Sequence, residues 1–334
     1  MKAFIKAISY YLPEKVVSND DLVKDFPEWS VEKIAAKIGI KTRHIAGECE
    51  FVSDMAVKAA QKLFEEHNIS PDEIDYILLC TQSPDYFLPT TACLVQDRLG
   101  IPTTAGAIDF NQGCSGYIYG LSLAKGLIFG NIAQNILLIT SETYSKHISK
   151  QDKGNRTIFG DAASATLITT EGVASIENFA LGTDGKGAEN LIVKNGGVKN
   201  PVRTNKTTED DFGNVLSDDY LFMNGSAIFN FTVESVPKLV HQTLQKNNLQ
   251  FDEIDFYIFH QANKYMLNHL RKKIGIDESR FLMHMERCGN TVSSTIPIVL
   301  KEAFDDKKFP AENKILLAGF GVGYSWGGCV INFK

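Results

Sequence analysis

The chain has 334 residues, of which 44% are hydrophobic and 22% are charged, and its formal net charge is -6. This composition is typical of a globular protein with two lobes, and the net charge gives no general basis for binding nucleic acid or an anionic membrane. No segment has the roughly 18 apolar residues of a membrane span. The N-terminal stretch is interrupted by charges, and the six cysteines show neither disulfide nor zinc-site spacing, so we expect a cytoplasmic protein without a metal site.

The first predicted helix-strand unit begins near Ser53 and Asp54, residue types that favour a helix start. Apolar residues at helical spacing follow on one face: Ala56, Ala60, Leu63 and Phe64. The apolar run that ends at Cys80 then predicts a buried strand. It leads into a loop at 81–89 that contains Leu88.

The candidate nucleophile is Cys114, which follows the predicted strand 105–110 and precedes a helical run from Tyr117. Gly113 and Gly116 leave its sulfur uncrowded. Because helix N-termini favour anions, this position predicts a thiol pKa below the usual value of about 8.5. The alternative is a buried structural thiol, which is the interpretation we give to Cys80 and the other cysteines of apolar runs.

A further strand is predicted at 135–140. The segment 180–219, which we call the excursion, is rich in Gly, Asn, Asp, Thr and Lys and shows no helical or strand periodicity. It predicts a surface segment near the junction of the two halves. The next helical pattern includes Val236, Leu239 and Val240, with Pro237 in a first turn or at a kink.

The segment 247–260 repeats the segment 67–80 without a gap, with the same Asn, Asp, Glu, Ile and Asp at matching positions. Each copy follows a helical pattern and enters a buried strand, so the sequence predicts a duplicated α/β fold with helical layers around two sheets. We place the halves at 1–175 and 176–334. His260 closes the second repeated strand, where α/β folds gather catalytic groups, although a core histidine bonded to a backbone carbonyl is equally consistent.

Asn290 lies in a small-residue turn before the helical run 296–303, where an N-cap is the alternative to a catalytic role. The strand 314–318 is followed by a glycine-rich turn and another strand, not by the helix that a dinucleotide site requires. Such a turn can direct backbone N–H groups, including that of Val322, at a developing oxyanion.

Five segments together resemble β-ketoacyl-acyl carrier protein synthase III of the thiolase superfamily. They are 113–116 (GCSG), 159–161 (FGD), 260–263 (HQAN), 289–291 (GNT) and 319–327 (GFGVGYSWG). The resemblance implies a thiolase-like, five-layered αβαβα fold, a homodimer, and a catalytic set that corresponds to Cys114, His260 and Asn290. It implies acyl-CoA and malonyl-acyl carrier protein as substrates, with no cofactor, in the initiation of fatty acid biosynthesis.

The same resemblance implies further contacts. The backbone N–H groups of Cys114 and Val322 would form the oxyanion site. Five residues correspond to substrate-binding positions: Trp29, Leu88, Arg156, Ser226 and Ala262. Four basic residues on a predicted helix would bind the carrier protein: Lys264, Arg271, Lys272 and Lys273. A solvated helix face is the alternative for the last group.

Two other functions fit the same residues. In one, acyl-Cys114 is transferred to form an ester, amide or ketone in specialised metabolism, since Leu88 stands where many relatives have phenylalanine. In the other, the chain is a silent thiolase-fold subunit that binds carriers, which the presence of all three catalytic residue types argues against.

Overall fold

The computed structural model describes residues 2–210, 215–309 and 312–334. Within them the helices are α1 (Asn19–Asp25), α2 (Val31–Ile38), α3 (Val52–His67), α4 (Thr91–Leu99), α5 (Gly116–Phe129), α6 (Lys153–Ile158), α7 (Gly225–Lys246), α8 (Lys264–Ile274) and α9 (Thr295–Asp305). The strands are β1 (Phe4–Tyr11), β2 (Val16–Ser18), β3 (Thr42–His44), β4 (Tyr76–Cys80), β5 (Gly106–Phe110), β6 (Ile136–Glu142), β7 (Ala162–Thr169), β8 (Ala174–Thr183), β9 (Leu191–Ile192), β10 (Thr208–Glu209), β11 (Val215–Leu216), β12 (Phe222–Met223), β13 (Phe256–Phe259), β14 (Phe281–Leu282), β15 (Lys314–Gly321) and β16 (Ser325–Phe333).

Ten strands form one continuous array in the order β14-β13-β15-β16-β8-β1-β7-β6-β4-β5. The array consists of two five-stranded sheets with the same strand order. In each sheet the parallel strands lie at the outer edge, and the antiparallel strands lie towards the join with the other sheet. The sheets meet where β1 pairs with β8, over the register Phe4↔Ser175 and Ile5↔Ala174. This matching order is the duplication that the sequence predicted.

Alternate residues of the buried strands face two different cores. Leu78 of β4 and Ile258 of β13 point into the core between the sheets, which surrounds α5 and α9. Their neighbours Ile77 and Tyr257 point to outer cores covered by α3 and α4 on one side and by α7 and α8 on the other. Because each sheet is covered on both faces, its strands lack polar alternation. The result is the predicted αβαβα arrangement of five layers.

The repeated segments fold alike because their acidic residues make equivalent contacts. Asp75 accepts hydrogen bonds from the N–H groups of Gln134 and Asn135 just before β6, at 2.8 and 3.0 Å. Asp255 accepts one from the N–H of Lys314 at the start of β15, at 2.7 Å. In each half, the carboxylate therefore fixes the repeated strand beside the parallel strand that follows.

The structure refines three expectations. The strands put the division of the halves between Thr169 and Ala174, because the expected boundary at 175/176 falls inside β8. α7 begins at Gly225, so Pro237 lies inside the helix and not in its first turn. The excursion contains the end of β8 and several two-residue strands, and its residues 211–214 lie outside the described part. None of the described helices combines the length and apolar character needed to cross a bilayer.

Candidate active site

Cys114 lies between β5 and α5 at the carboxyl edge of the first sheet, as the sequence predicted. Its side chain is buried, with 7% of its surface exposed. A Cβ at Gly321 would lie 2.7 Å from the sulfur, so only glycine allows the β15–β16 turn to approach this closely. The N–H groups of Val322 and of Cys114 itself point at the sulfur and favour its anion. These are the two donors predicted for the oxyanion site.

The expectation of a lowered thiol pKa is wrong for the free protein. Burial raises the pKa of Cys114 to about 12, and the backbone N–H groups oppose this shift only in part. The reason is that desolvation disfavours the thiolate more strongly than the nearby donors stabilise it. Cys114 is therefore a protonated thiol before substrate binds.

His260 follows β13 directly, and its backbone N–H donates to the carbonyl of Ala318 at 2.8 Å. Its ring packs edge-on to Phe320, with 5.9 Å between the centroids. Burial lowers the pKa of His260 to about 3, while the carbonyl of Val292 opposes that shift. The imidazole is consequently neutral across the physiological range.

The Thr295 hydroxyl determines how His260 can act. Its Oγ1 lies 2.8 Å from His260 Nδ1 and 3.0 Å from the carbonyl oxygen of Val292. A hydroxyl has one proton to donate. When that proton goes to Nδ1, the ring carries its own proton on Nε2, and when it goes to Val292, the ring donates from Nδ1 instead. The tautomer of His260 is thus coupled to the rotation of one hydroxyl.

Asn290 is fixed by backbone bonds on both sides of its Cα. Its N–H donates to the carbonyl of Ile158 at 2.9 Å, and its carbonyl accepts from Gly160 at 3.0 Å. Its side-chain Oδ1 accepts from the N–H of Val292 at 2.9 Å. This contact turns the carbonyl end of the amide towards Val292 and so fixes the amide orientation.

Shared neighbours bring the three side chains to one centre. The end of β15 contacts Cys114 through Gly321, while the preceding Phe320 contacts His260. Val292 contacts both His260 and Asn290. The candidate nucleophile comes from the first half of the chain and its two candidate partners come from the second.

A cavity of about 860 Å³ opens beside this centre. Trp29 and Ser226 line it, and its inner wall includes Ile158 and Asn263, which adjoin the backbone contacts of Asn290 and His260. Ala262 is partly buried next to Asn263. Trp29 and Ser226 therefore line one cavity, and Ala262 is the chain neighbour of its lining residue Asn263.

Arg156 is not in that cavity. Its guanidinium donates to Asp25 and to the carbonyl of Lys150, each at 2.8 Å, and it lines a separate cavity. The basic residues that line the Trp29 cavity are Lys37 and Lys153. The sequence analysis did not single out Lys153, which lies in the same short helix, α6, and is ion-paired with Glu28 at 3.0 Å.

The remaining candidates lie on the surface. Leu88 is 86% exposed, next to Phe87 at 79% and Tyr86 at 61%. On α8, Lys264, Lys272 and Lys273 are exposed. Arg271 is less exposed than these lysines, because its guanidinium donates to Glu278 and to the carbonyl of Ile276, both just beyond the end of α8. The structure thus separates Arg271 from the three exposed lysines.

Comparisons with known proteins identify the family. The family described as 3-oxoacyl-[acyl-carrier-protein (ACP)] synthase III matches residues 108–185, and its C-terminal part matches residues 244–333. This chain belongs to that family. It is 38% identical to the beta-ketoacyl-[acyl-carrier-protein] synthase III of Lactococcus lactis subsp. lactis, with 99% of each chain covered. It is 35% identical to that of Clostridium perfringens, with 96% of each chain covered.

Solved structures show the same fold. A crystal structure of a 3-oxoacyl-(acyl-carrier-protein) synthase III has a TM-score of 0.97 and 47% identity, with both chains covered completely. A 3-oxoacyl-(acyl-carrier protein) synthase from Burkholderia xenovorans has a TM-score of 0.89 and 35% identity, covering 100% of this chain and 95% of that one. The prediction of a condensing acyltransferase of this family is confirmed. These relatives do not favour the alternative of a specialised ester- or amide-forming enzyme.

Proposed function

We propose that the protein takes an acyl group from acyl-CoA onto Cys114 and extends it by decarboxylative condensation with a malonyl-acyl carrier protein. This reaction would initiate fatty acid biosynthesis. The observation that carries the proposal is the convergence of Cys114, His260 and Asn290 from two halves of the chain. A buried thiol, a neutral imidazole and an oriented amide are the groups that the two steps require.

In the first step, Cys114 attacks the carbonyl carbon of the acyl thioester. The N–H groups of Cys114 and Val322 donate to the oxygen of the tetrahedral intermediate. The bond to the CoA sulfur then breaks, and the proton from Cys114 ends on the leaving thiol. The high pKa of Cys114 suits this exchange, because the thiol stays unreactive until a substrate accepts its proton.

In the second step, the malonyl thioester loses carbon dioxide and its carbonyl oxygen becomes an enolate. His260 and the NH₂ group of Asn290 donate hydrogen bonds to that oxygen. The His260 donor is Nε2–H, which requires the Thr295 hydroxyl to turn from the Val292 carbonyl and donate to Nδ1 during this step. The carbanion attacks acyl-Cys114, the carbon-sulfur bond breaks, and the thiolate regains a proton from solvent.

The Trp29 cavity is the proposed route of entry for both thioesters. Trp29 and Tyr265 offer aromatic faces, and Lys37 offers positive charge to phosphate groups. Lys153 lines the same cavity but is ion-paired with Glu28 at 3.0 Å. Ser226 and Ala262 lie along the same route. We assign acyl carrier protein docking to Lys264, Lys272 and Lys273, since a carrier with acidic residues complements three exposed ammonium groups. No cofactor is part of this scheme.

We further propose a cytoplasmic homodimer. β5 is an edge strand of the array, and an edge strand can pair with its copy in a second chain. The exposed apolar loop at 86–88 would then be covered by the partner subunit, with Leu88 directed at its acyl site. The six cysteines are free thiols, which supports a reducing compartment.

Intact-mass measurement with a panel of acyl-CoA thioesters tests the central step. The wild type should gain one acyl mass and lose it, with release of carbon dioxide, when malonyl-acyl carrier protein is added. Cys114→Ala should gain none, whereas Cys80→Ala, which alters a neighbouring buried thiol, should still acylate. A folded wild-type protein that takes no acyl group from any thioester would contradict the proposal.

A further inference from the structure

Arg156 joins the end of the short helix α1 to α6. Its guanidinium donates to Asp25 and to the carbonyl of Lys150, each at 2.8 Å, and its central carbon lies 5.2 Å from the centre of the Phe26 ring. An exposed ion pair by itself contributes little, but this side chain is only 25% exposed and is held at three points. The planar guanidinium can make all three contacts at once. Arg156 therefore fixes the end of α1 on α6.

The turn that follows α1 connects this contact with Trp29. α1 ends at Asp25, and the carbonyl of Phe26 accepts a hydrogen bond from the N–H of Trp29 at 3.1 Å. In the same turn, Glu28 is ion-paired with Lys153 of α6 at 3.0 Å. Trp29 itself is partly buried and lines the proposed entry cavity. Contacts with α6 on both sides of this turn thus determine where the indole lies.

Polar contacts at both ends hold α1 in place. The helix has seven residues, of which Asn19 and Leu22 are buried, and a helix of this length is not stable by itself. A cavity of about 560 Å³ is lined by residues of both helices, including Leu22 of α1 and Arg156 of α6. At the start of α1, the buried Arg43 donates to Asn19 at 2.9 Å and to the Thr157 carbonyl of α6 at 2.8 Å. Because a cavity separates parts of the two helices, we expect the position of α1 to depend on these two guanidinium groups.

We propose that Arg156 is a positioning residue, which holds the end of α1 on α6 and thereby sets the place of Trp29 and the affinity for acyl-CoA. The inference rests on the proposed function, since it takes the Trp29 cavity as the route of entry. Arg156 acts through Trp29 and does not touch the substrate, because it lines a different cavity and already donates to Asp25 and Lys150. A small displacement of a group that orients a substrate has a large effect on its use.

Asp25→Asn separates this role from direct contact between Arg156 and the substrate. The variant removes the charge of a side chain that is 54% exposed, so the protein should still fold. Loss of the anchor should raise KM for acyl-CoA in the acylation of Cys114 about fivefold and leave kcat within about twofold. If Arg156 instead bound a phosphate of CoA, its guanidinium would be freed by this change and KM would fall. A fall in KM, or an unchanged KM, would overturn the inference.

Arg156→Ala should raise the same KM about tenfold, because it also removes the contact with the Phe26 ring. Combining it with Asp25→Asn should raise KM no further, since the connection between α1 and α6 is already lost. Fully additive effects would show that the two residues act independently, which contradicts the proposal.

Lys24→Gln is the matched control. Lys24 forms an ion pair with Asp21 at 2.8 Å, but both residues belong to α1, so this pair does not join α1 to α6. The variant should leave KM for acyl-CoA unchanged. A rise equal to that of Asp25→Asn would mean that any lost charge pair in α1 has this effect, and the role of Arg156 would be refuted.

Acrylamide quenching of Trp29 fluorescence gives a measurement that does not depend on activity. The chain has two tryptophans, so the signal of Trp326 is measured in matching proteins that carry Trp29→Phe and is subtracted. Arg156→Ala should roughly double the quenching constant of Trp29, because the turn becomes more mobile. Equal quenching in the wild type and the variant would overturn the inference. Failure of the proposed function looks different, because no thioester would then acylate Cys114 in the wild type while the difference in quenching would remain.

Discussion

The buried centre around Cys114 differs from the exposed surface that carries Leu88 and the α8 lysines Lys264, Lys272 and Lys273, which we call the rim. At the centre, Cys114, His260 and Asn290 are buried and are fixed by backbone contacts from strand ends and turns. At the rim, Leu88 and the α8 lysines are exposed. Groups held by backbone geometry are set by the fold, whereas exposed side chains can change without altering it. The centre should therefore determine which reaction is catalysed, and the rim should determine which partners bind.

The largest effect that would sharpen this contrast is expected from His260→Ala and Asn290→Ala. Each removes a proposed donor to the enolate, so condensation should fall on the order of 10²- to 10³-fold. Formation of acyl-Cys114 should persist, because its oxyanion donors are backbone N–H groups. Carbon dioxide release and intact mass measure the two steps separately. Equal loss of both steps would show that these residues do not act specifically on the malonyl substrate.

A somewhat smaller effect is expected from Gly321→Ala. The added Cβ would lie 2.7 Å from the sulfur of Cys114, so the turn must shift and move the Val322 N–H. Acylation should slow by about 10- to 100-fold, on the scale of losing one oxyanion donor. Gly126→Ala is the control, since nothing lies within 4 Å of its added Cβ. Normal acylation kinetics in Gly321→Ala would break the assignment of the oxyanion site.

At the rim, Lys272→Glu combined with Lys273→Glu should weaken carrier binding. We expect KM for malonyl-acyl carrier protein to rise about tenfold, because two attractive charges become repulsive. The rate of Cys114 acylation by acyl-CoA should be unchanged, since neither lysine lines the Trp29 cavity. Arg271→Gln is the comparison, because Arg271 is already bonded to Glu278 and should change KM little. An equal rise in KM for Arg271→Gln would show that the carrier protein does not dock on the exposed lysines.

The smallest effect concerns pH. Folding lowers the pKa of His260 to about 3, so the neutral donor is fully present above that value and is lost only as the pH falls towards it. Discharge of preformed acyl-enzyme by malonyl thioester should change less than about twofold between pH 8 and 6. Stopped-flow measurement of that single step isolates it from acylation. A decline with a midpoint near 6.5 would mean that His260 is accessible to water.

Sequence reasoning succeeded where a position in the fold depends on local order. It placed Cys114 between a strand and a helix and His260 at the end of a repeated strand, as the structure has them. It failed where the outcome depends on tertiary packing. Nothing in the sequence indicates how deeply Cys114 is buried or that Arg271 donates to Glu278 beyond the end of α8. Such features arise from contacts between residues far apart in the chain.

The narrow join between β1 and β8 has a consequence for how the molecule could be divided. The two sheets share only a short register at Phe4↔Ser175 and Ile5↔Ala174, yet each half contributes groups that the other lacks. A chain cut between Thr169 and Ala174 would yield two polypeptides, neither able to turn over substrate by itself. Mixing them should restore turnover to the extent that they reassociate, which makes the enzyme a natural candidate for a split-protein reporter.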